Sequence, residues 1–498
     1  MRADVVVVGA GNAALCAALA AREHGADVLV LERAPAAECG GNTAFTGGGF
    51  RTVYRGVEDI RSLATDLSDD LVAHTDFGTY SEEDFFADMA KVTDSRTDPE
   101  LCGILVTRSF GTLRWMQSKG VNFAPKYRRA TTEVDGVFKF VGGLVLEAFG
   151  GGTGLIDSLT KAARAAGIHI VYGARATGLV MDGARVSGVS YRQAGADTKV
   201  DASAVVLACG GFEANAEWRT RYLGPGWELA TVRGSRYNTG DGIAMGLAAG
   251  AMSHGNWSGA HADPYGLNAP PFGDRDVGGA YQKHSFPFGI MVNANGERFM
   301  DEGEDFVAYT YAKTGRRILA QPEHFAYQIF DQKVSHLLQD SYRSRYANRI
   351  TADSLDGLAR RLEGVNVPRF LQTVAEYNSA VSTEIPFDPA ARDGRCTVGL
   401  TVNKSNWANV LDAPPFEAFG VGCGITFTFG GLKISSESRV IDTEGAPIEG
   451  LYACGELVGG IFYFNYPGGT GLMSGAVFGR IAGDTAGRMV SKQKAVAL

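Results

Sequence analysis

The segment FNYPGGTGLMSG, residues 464–475, places a tyrosine hydroxyl beside a run of bare backbone. Tyr466 can donate a hydrogen bond to a carbonyl or carboxylate oxygen, and the amide groups near Gly469 lie beside it in the chain. Such donors are typical of sites that stabilise negative charge on oxygen. Because proline and glycine are also common in surface loops, the rest of the sequence must decide between a loop and an active site.

The segment YQKHSFPFG holds a second group of side chains that could bind a carboxylate. His284 follows Lys283 directly, and Tyr281 lies shortly before them. An ammonium group, an imidazole and a phenol are all suitable donors to an anionic oxygen. The alternative is a solvated loop whose polar side chains have no ligand.

The N-terminus carries the pattern of a dinucleotide-binding site. DVVVV (residues 4–8) predicts a buried parallel strand, GAGNAA a tight turn into a helix, and DVLVLE a second strand that ends at Glu32. Gly9 allows the turn, Gly11 lets the backbone approach a pyrophosphate, and a small third residue lets helix and strand pack. A carboxylate at the end of the second strand can accept both ribose hydroxyls. The residues predicted to form this turn are Gly9, Gly11, Asn12, Ala13 and Ala14.

A second glycine-rich loop, CGGNTAFTGGGF at residues 39–50, follows Glu32 before any third strand. A nicotinamide-binding fold usually continues with further strand–helix units, whereas FAD has a flavin end that needs such a loop. Asn42, Thr43 and Thr46 supply short polar groups there. The sequence therefore favours FAD over NAD, and the alternative for this loop is a flexible linker.

Composition excludes several other classes of protein. The 498 residues carry a formal net charge of −8, which argues against nucleic acid as a partner. None of the seven cysteines forms a CxxC pair, so no metal or iron–sulfur centre is predicted. The first strand begins at residue 4 and no apolar run reaches the roughly 20 residues of a membrane span. We expect a cytoplasmic protein without a membrane span.

The order of the patterns predicts an α/β fold, with a Rossmann-like dinucleotide-binding domain interrupted by an inserted α+β capping domain. The strand in VVLACGG ends at Gly210 and is expected to return to the first sheet, and Gly471 and Leu472 open the last helix. The predicted parts are an FAD-binding domain at 1–255 with a helical insertion at about 55–145, a capping domain at 256–419, the rest of the FAD-binding domain at 420–490, and a flexible tail at 491–498.

The ordered motifs resemble the flavoprotein family of fumarate reductases and succinate dehydrogenases over nearly the whole chain. They are VVVVGAGNAA, GGNTAFTGGGF, VVLACGG, NTGDGIAMGLAAGA, MVNANGERFMDE and GLYACGE. The segments ITFTFGGLKIS and FYFNYPGGTGLMSG are most similar to the tricarballylate dehydrogenase branch, and the Tyr-Pro-Gly step also resembles 3-ketosteroid Δ1-dehydrogenases. The resemblance implies an active site between the FAD domain and the cap.

The resemblance also implies roles for particular positions. Glu32 and Arg33 should lie at the adenosine ribose, Ala176 at the adenine, and Asp241 and Glu456 at the ribityl and pyrophosphate region. The flavin side should be lined by Gly41, Asn42, Thr43, Thr46, Gly47 and Gly48, with Gly210, Gly471 and Leu472 completing the cofactor site. Relatives that bind flavin covalently use a histidine in this loop. Residues 39–50 contain none, so noncovalent FAD is expected.

The chain departs from the fumarate reductase pattern at three charged positions. Tyr466 stands where those enzymes have an arginine that clamps a carboxylate, and Phe427 stands where they have a histidine. Their proton-donating arginine has no counterpart in RFMDEGEDFVAY, where Tyr309 is a candidate proton carrier or else part of a packed aromatic helix face. His261, in GAHADP, matches a substrate-binding histidine of the family.

The predicted catalytic set is Tyr466, Gly469, His261, His284 and Tyr309. The resemblance implies an FAD-dependent oxidoreductase that transfers hydride at a C–C bond α,β to a carboxylate or ketone, in the manner of tricarballylate dehydrogenase. One alternative is an enone- or ketosteroid-type enzyme with a bulkier apolar substrate. Another is a noncatalytic electron-transfer flavoprotein subunit. In each case electrons must enter or leave through an external donor or acceptor.

Overall fold

The larger of two main sheets carries the N-terminal motif. The computed structural model describes residues 1–140 and 142–497. The strands of this sheet are β1 (Arg2–Val8), β2 (Val28–Glu32), β9 (His169–Tyr172), β10 (Arg175–Asp182), β11 (Arg185–Gln193), β12 (Ala196–Leu207), β19 (Arg439–Ile441) and β20 (Pro447–Ala453). Its parallel core runs in the order β20-β12-β1-β2-β9. The strand before Gly210 therefore pairs with β1, as predicted.

The second main sheet is built around one long strand. Its members are β13 (Thr231–Val232), β14 (Ser253–Gly266), β15 (Ile290–Asn293), β16 (Ala326–Phe330), β17 (Arg349–Ala352) and β18 (Phe416–Leu432). The C-terminal half of β18 pairs with β14, and its N-terminal half pairs with β16 and β17. The same strand thus contributes both to the cap and to the wall of the cavity described below.

Shorter strands and the helices complete the fold. The strands form two small sheets, one of β3 (Gly49–Phe50), β5 (Phe123–Pro125) and β8 (Leu146–Ala148), the other of β4 (Thr75–Asp76), β6 (Thr131–Val134) and β7 (Val137–Phe140). The helices are α1 (Asn12–Glu23), α2 (Val57–Leu63), α3 (Asp69–Ala73), α4 (Glu82–Val92), α5 (Pro99–Ser118), α6 (Tyr127–Ala130), α7 (Gly151–Ala165), α8 (Ala216–Trp218), α9 (Asp241–Ala248), α10 (Val307–Leu319), α11 (Leu355–Ala359), α12 (Val367–Ala380) and α13 (Thr470–Ala497). None of the described helices has the length and apolar character to cross a bilayer.

The predicted domain limits fall inside paired strands. The limit at 255/256 lies within β14 and the limit at 419/420 within β18, and these two strands pair with each other. Both strands therefore continue through the limits without a linker, and the division into domains stays a prediction. The tail predicted to be flexible at 491–498 is helical as far as Ala497, because its alanines and lysines are good helix formers. Leu498 lies outside the described residues.

The first and last long helices pack against each other through glycines. In α13, glycines recur every fourth residue at 475, 479, 483 and 487, and all four face α1. A methyl group at Gly483 would lie 2.0 Å from the carbonyl oxygen of Ala17, and one at Gly479 would lie 2.4 Å from that of Ala13. Helix α1 is almost wholly buried. The two backbones can approach this closely only because no side chain separates them.

We expect Gly483→Ala to destabilise the protein by about 1–3 kcal/mol, because overpacking forces the two helices apart. Thermal unfolding monitored by circular dichroism measures the effect. Gly103→Ala in α5 is the matched control, since a methyl group there meets no atom within 4 Å of the described chain. The control should be neutral or stabilising by up to about 1 kcal/mol, the helix-propensity difference. Equal effects of the two substitutions would contradict the packing argument.

Candidate active site

A cleft opens at the carboxyl ends of β1 and β2, where the glycine motif lies. Gly9, Gly11, Asn12 and Ala13 line it, and the amide of Asn12 donates to the hydroxyl of Thr43 at 3.1 Å. The residue before α1 is Gly11, which has no side chain to cap the helix. The amides of the first turn therefore need an external acceptor, such as a phosphate. Ala14 is fully buried beneath the turn rather than in the cleft.

The space around Gly11 fits a dinucleotide phosphate. A methyl group at Gly11 would have its nearest described neighbour, the carbonyl oxygen of Gly40, at 3.5 Å, so that side of the residue faces the open cleft. A methyl group at Gly9 would lie 2.4 Å from the carbonyl oxygen of Ala208, directly after β12, and the φ of +108° at Gly9 suits the predicted tight turn. The role of Gly11 at a pyrophosphate stays a prediction.

Glu32 and Ala176 lie at one end of this cleft, together with a cluster of charges. The Glu32 side chain is buried and accepts a hydrogen bond from the amide of Ala34 at 2.7 Å. Burial raises the pKa of Glu32, although backbone amides oppose the shift. Arg33 and Arg175 both bind Asp241, each at 3.0 Å. Asp241 therefore lies on the Glu32 side of the cleft, whereas the sequence grouped it with Glu456.

The cleft continues into a second cavity. Both are lined by Asn12, Ala13, Asn42, Thr43, Gly455 and Glu456. Gly41 and Gly210 line the first, and Thr46, Gly47, Gly471 and Leu472 line the second. Gly48 lines neither, because it packs on the backbone of Gly151. One elongated space therefore joins the predicted ribose end to the predicted flavin end, and its lining suits FAD.

Tyr466 lies in the wall of the second cavity and is hydrogen-bonded to another tyrosine. Its hydroxyl is 2.5 Å from the hydroxyl of Tyr311 on α10. Tyr466 is buried, and burial raises its pKa. Burial also raises the pKa of Tyr311 well above the usual value, and the hydroxyl of Tyr466 adds to the shift. Both phenols are therefore neutral hydrogen-bond donors at physiological pH.

His261 lies against this tyrosine pair. Its ring centre is 5.0 Å from that of Tyr311 and 4.8 Å from that of Tyr466. The residue is 2% exposed, and neither ring nitrogen has a hydrogen-bond partner among the described residues. Burial holds the pKa of His261 well below the usual value. Burying a neutral imidazole without a hydrogen-bond partner costs free energy of folding. The ring nitrogens of His261 are therefore available to bond a ligand.

A buried ion pair lies behind His261. One carboxylate oxygen of Asp263, which is fully buried, is 2.6 Å from Arg233 and 2.6 Å from Nε2 of His284. Burial alone would raise the pKa of Asp263, but Arg233 and His284 together hold it below the usual value. Arg233 also lines the cavity, and its Nε has no partner in the described part of the chain. The cavity therefore contains a cation whose charge is already balanced.

The Tyr-Pro-Gly-Gly turn is held in place from two sides. Arg51, which is fully buried, donates from Nε to the carbonyl of Gly468 at 3.0 Å and also binds Asp88 of α4. The amide of Gly468 donates to Ala308 of α10 at 3.1 Å. Gly469 lines the cavity with φ of +88°, and a methyl group there would lie 2.5 Å from Leu144. Only glycine suits this position.

One predicted catalytic residue lies elsewhere. The hydroxyl of Tyr309 bonds Asp88 at 2.9 Å, beside the guanidinium of Arg51, and Tyr309 does not line the cavity. Two residues further along α10, Tyr311 points to the cavity instead, because positions two apart lie on nearly opposite faces of a helix. The prediction for Tyr309 as proton carrier therefore has no support from its position. Tyr466, Gly469, His261 and His284 all line the cavity.

The sequence analysis missed Tyr311, Arg233 and Asp263. Tyr311 lay in the segment already singled out, but the phase of the helix was unknown. Arg233 lies in the loop before α9 and Asp263 lies in β14, and no local sequence pattern joins them. Three aromatic side chains, Phe427, Phe429 and Phe462, also line the cavity. No group of side chains in the described ranges is arranged to hold a metal ion.

Comparison with known proteins defines the class. The model of the FAD binding domain family matches residues 4–472, and the chain belongs to this family. A probable fumarate reductase, Ifc3, of Shewanella frigidimarina (strain NCIMB 400) is 30% identical over 499 residues, covering 97% of this chain and 75% of the relative. The 4-oxocyclohexanecarboxylate 2-dehydrogenase of Sinomonas cyclohexanicum is 29% identical over 563 residues, covering 99% and 93%.

The fold is shared with a solved flavoprotein structure. The 3-ketosteroid Δ1-dehydrogenase of Sterolibacterium denitrificans in complex with 1,4-androstadiene-3,17-dione has a TM-score of 0.74 at 20% identity, covering 98% of this chain and 100% of that one. The chain is an FAD-dependent oxidoreductase of the fumarate reductase family that acts on CH–CH groups. The predicted fold, cofactor and family are thereby confirmed, while the predicted tricarballylate branch is not.

Denaturation in acid should release the flavin into solution. Residues 39–50 contain no histidine, and the two histidines that line the cavity lie beside the tyrosine pair and the ion pair. After precipitation with acid, we expect the flavin absorbance in the supernatant to equal that of the native protein. Flavin retained in the washed precipitate would show a covalent bond and contradict the prediction.

Glu32→Ala should lower the FAD content of the purified protein, because it removes the carboxylate at the ribose end of the cleft. The ratio of flavin to protein absorbance measures retention. Glu38→Ala is the control, since Glu38 is an exposed acid of the same region that bonds the hydroxyl of Tyr237 at 3.0 Å. Full occupancy in both variants would count against the ribose assignment.

Proposed function

We propose that the enzyme oxidises or reduces the C–C bond α,β to a single ketone or carboxylate in a substrate with a largely apolar body. The observation that carries the proposal is the pair of hydrogen-bonded hydroxyls of Tyr311 and Tyr466, with the partnerless ring of His261 against them. Three neutral polar groups thus converge at one point of a cavity whose wall also contains Phe427, Phe429 and Phe462. This arrangement suits a substrate that presents one oxygen atom to the three groups better than a substrate with several carboxylates.

The residues of the elongated space would hold FAD along its length. Glu32 would bind the ribose, the first turn of α1 the pyrophosphate, and the loop with Asn42 and Thr43 the flavin side, with the first turn of α13 nearby. FAD, when bound, accepts or donates the hydride. The protein must then position the substrate carbon and manage the proton on its neighbour. FAD would be bound noncovalently, and an external partner would supply or remove the electrons.

The carbonyl oxygen of the substrate would accept a hydrogen bond from Tyr466, and Gly469 at the turn leaves room for it. Polarising the carbonyl acidifies the C–H on the adjacent carbon, which makes proton removal easier. The hydroxyl of Tyr311, bonded to that of Tyr466, would donate this proton in the reductive direction. In the oxidative direction it would accept the proton only as a phenolate, after giving up its own. His284 lies with its ring centre 4.9 Å from that of Tyr311 and is itself bound to Asp263.

The charges in the cavity argue against tricarballylate, which carries three carboxylates. Arg233 is paired with Asp263, and Lys126, the other strong cation of the described lining, is paired with Glu147. Binding several carboxylates would leave most of them without a compensating charge, at high desolvation cost. A cyclic ketone or enone meets no such penalty. The name of the relative from Sinomonas, a dehydrogenase of an oxocyclohexanecarboxylate, fits this class.

A panel of acceptors tests the proposal. The flavin is reduced anaerobically by light and then mixed with cyclic enones, unsaturated monocarboxylates or cis-aconitate. We expect reoxidation by an enone or a monocarboxylate to be fastest. Faster reoxidation by cis-aconitate would contradict the proposal in favour of a tricarboxylate substrate, and no reoxidation by any of them would contradict it altogether.

Tyr466→Phe should slow turnover about 10²-fold, the scale of losing one donor to a developing oxyanion. The phenyl ring keeps the packing, so FAD content should be unchanged. Tyr463→Phe is the matched control, because Tyr463 lies three residues earlier and outside the cavity lining. Steady-state rates with the best acceptor of the panel measure both variants. A Tyr466→Phe enzyme as fast as the wild type would refute the role.

A further inference from the structure

Two glutamates meet in the wall between the two cavities. Glu456, from the loop after β20, lines both of them. Glu213, from the loop after β12, is fully buried and lies next to it. The sequence analysis assigned Glu456 to the cofactor site and gave Glu213 no role. Two adjacent carboxylates in a buried place repel each other strongly unless a proton separates them.

The hydrogen bonds around Glu213 show where a proton would be. Its Oε1 accepts from the side-chain amides of Asn42 at 2.6 Å and Asn238 at 2.7 Å. Its Oε2 is buried and has no donor among the described residues. Oε1 is thus used as a carbonyl oxygen, with two donors, and the Glu456 side chain lies within hydrogen-bonding reach of the Glu213 carboxyl group. This is the pattern of a neutral carboxylic acid whose hydroxyl donates to a carboxylate.

Glu456 has the complementary pattern of an anion. One of its oxygens accepts from the amide of Thr428 at 2.9 Å. The charged groups near the pair are few. Arg219, which lines neither cavity, donates to the backbone carbonyl of Glu213 at 2.5 Å rather than to its carboxyl group. Burial and then Glu456 raise the pKa of Glu213 well above the usual value, whereas the contact with Glu213 opposes the effect of burial on Glu456.

We propose that Glu213 is a positioning residue that remains protonated and donates a hydrogen bond to the Glu456 carboxylate, fixing the anion toward the cofactor space with a total charge of −1 for the pair. Glu213 itself lines neither cavity, so it acts through Glu456. With a single negative charge on the pair, the Glu456 carboxylate still offers oxygens that can accept hydrogen bonds from hydroxyl groups of the cofactor. A second negative charge would repel a reduced flavin, which gains negative charge.

Glutamine at position 213 is an isosteric mimic of the protonated acid. Its carbonyl can accept from Asn42 and Asn238, and its NH₂ group can donate to Glu456. Glu213→Gln should therefore keep the flavin content of the holoenzyme. Leucine has a similar size but no donor or acceptor, and we expect Glu213→Leu to weaken FAD binding about tenfold or more. Equal FAD retention in the two variants would overturn the positioning role.

Infrared spectroscopy of the holoenzyme detects the proton directly. The difference between wild type and Glu213→Gln at neutral pH should contain the C=O band of a protonated carboxylic acid. Glu217→Gln is the control, because that side chain is 72% exposed and paired with Arg221, and its difference spectrum should lack the band. A wild-type minus Glu213→Gln spectrum without the band overturns the proposal.

Thermal unfolding as a function of pH gives a second measurement. A carboxyl group whose pKa is raised by folding stabilises the protein fully below the ordinary value of 4.5, and this stability is lost as the pH rises through the folded pKa. Glutamine cannot titrate. The melting temperature of Glu213→Gln relative to wild type should therefore keep rising from about pH 4.5 through neutrality. A difference that stops growing near the ordinary value would mean that Glu213 is ionised and would overturn the proposal.

Discussion

The packing of α13 on α1 is the contact on which the rest of the site depends. It brings together the first and last long helices of the chain, so that both begin at the same cleft. The side chain of Asn12, the first residue of α1, donates to the carbonyl of Leu472 in the first turn of α13 at 2.8 Å. Two helix N-termini, each with a positive dipole end, are thereby directed at one elongated space.

The substrate cavity is organised by buried charges that cancel. Asp263 lies between Arg233 and His284, and this leaves His261 and the two tyrosines as neutral donors and acceptors in front of it. In the wall shared with the cofactor cleft, the proton proposed between Glu213 and Glu456 limits the buried charge of that pair to −1. A dry cavity strengthens each hydrogen bond that a ligand makes there, and it also makes any uncompensated charge expensive. Neutral phenols suit such a place better than a second arginine.

Local patterns predicted the cofactor part of the site well. The strand, the glycine turn, the helix and Glu32 follow each other within one short segment. Residues that are neighbours in the sequence therefore form this part of the site together. The glycine period of α13 was also present in the sequence and went unnoticed. The catalytic side was harder, because Arg233, Asp263 and Tyr311 come from three separate elements. The sequence does not distinguish Tyr309 from Tyr311, because the segment alone does not show which face of α10 is buried.

The balance between Arg233 and Asp263 has a consequence for how substrate specificity changes in this family. An arginine introduced at position 466 would lie in a cavity that already contains one guanidinium, against the rings of Phe427 and Phe462. The nearest acid, Asp263, is already shared by two partners. Replacing the phenol of Tyr466 by an arginine that binds a carboxylate is therefore epistatic, because this substitution must be accompanied by changes at position 233 or in the aromatic wall. A lineage could pass between the two cavity types only through paired substitutions.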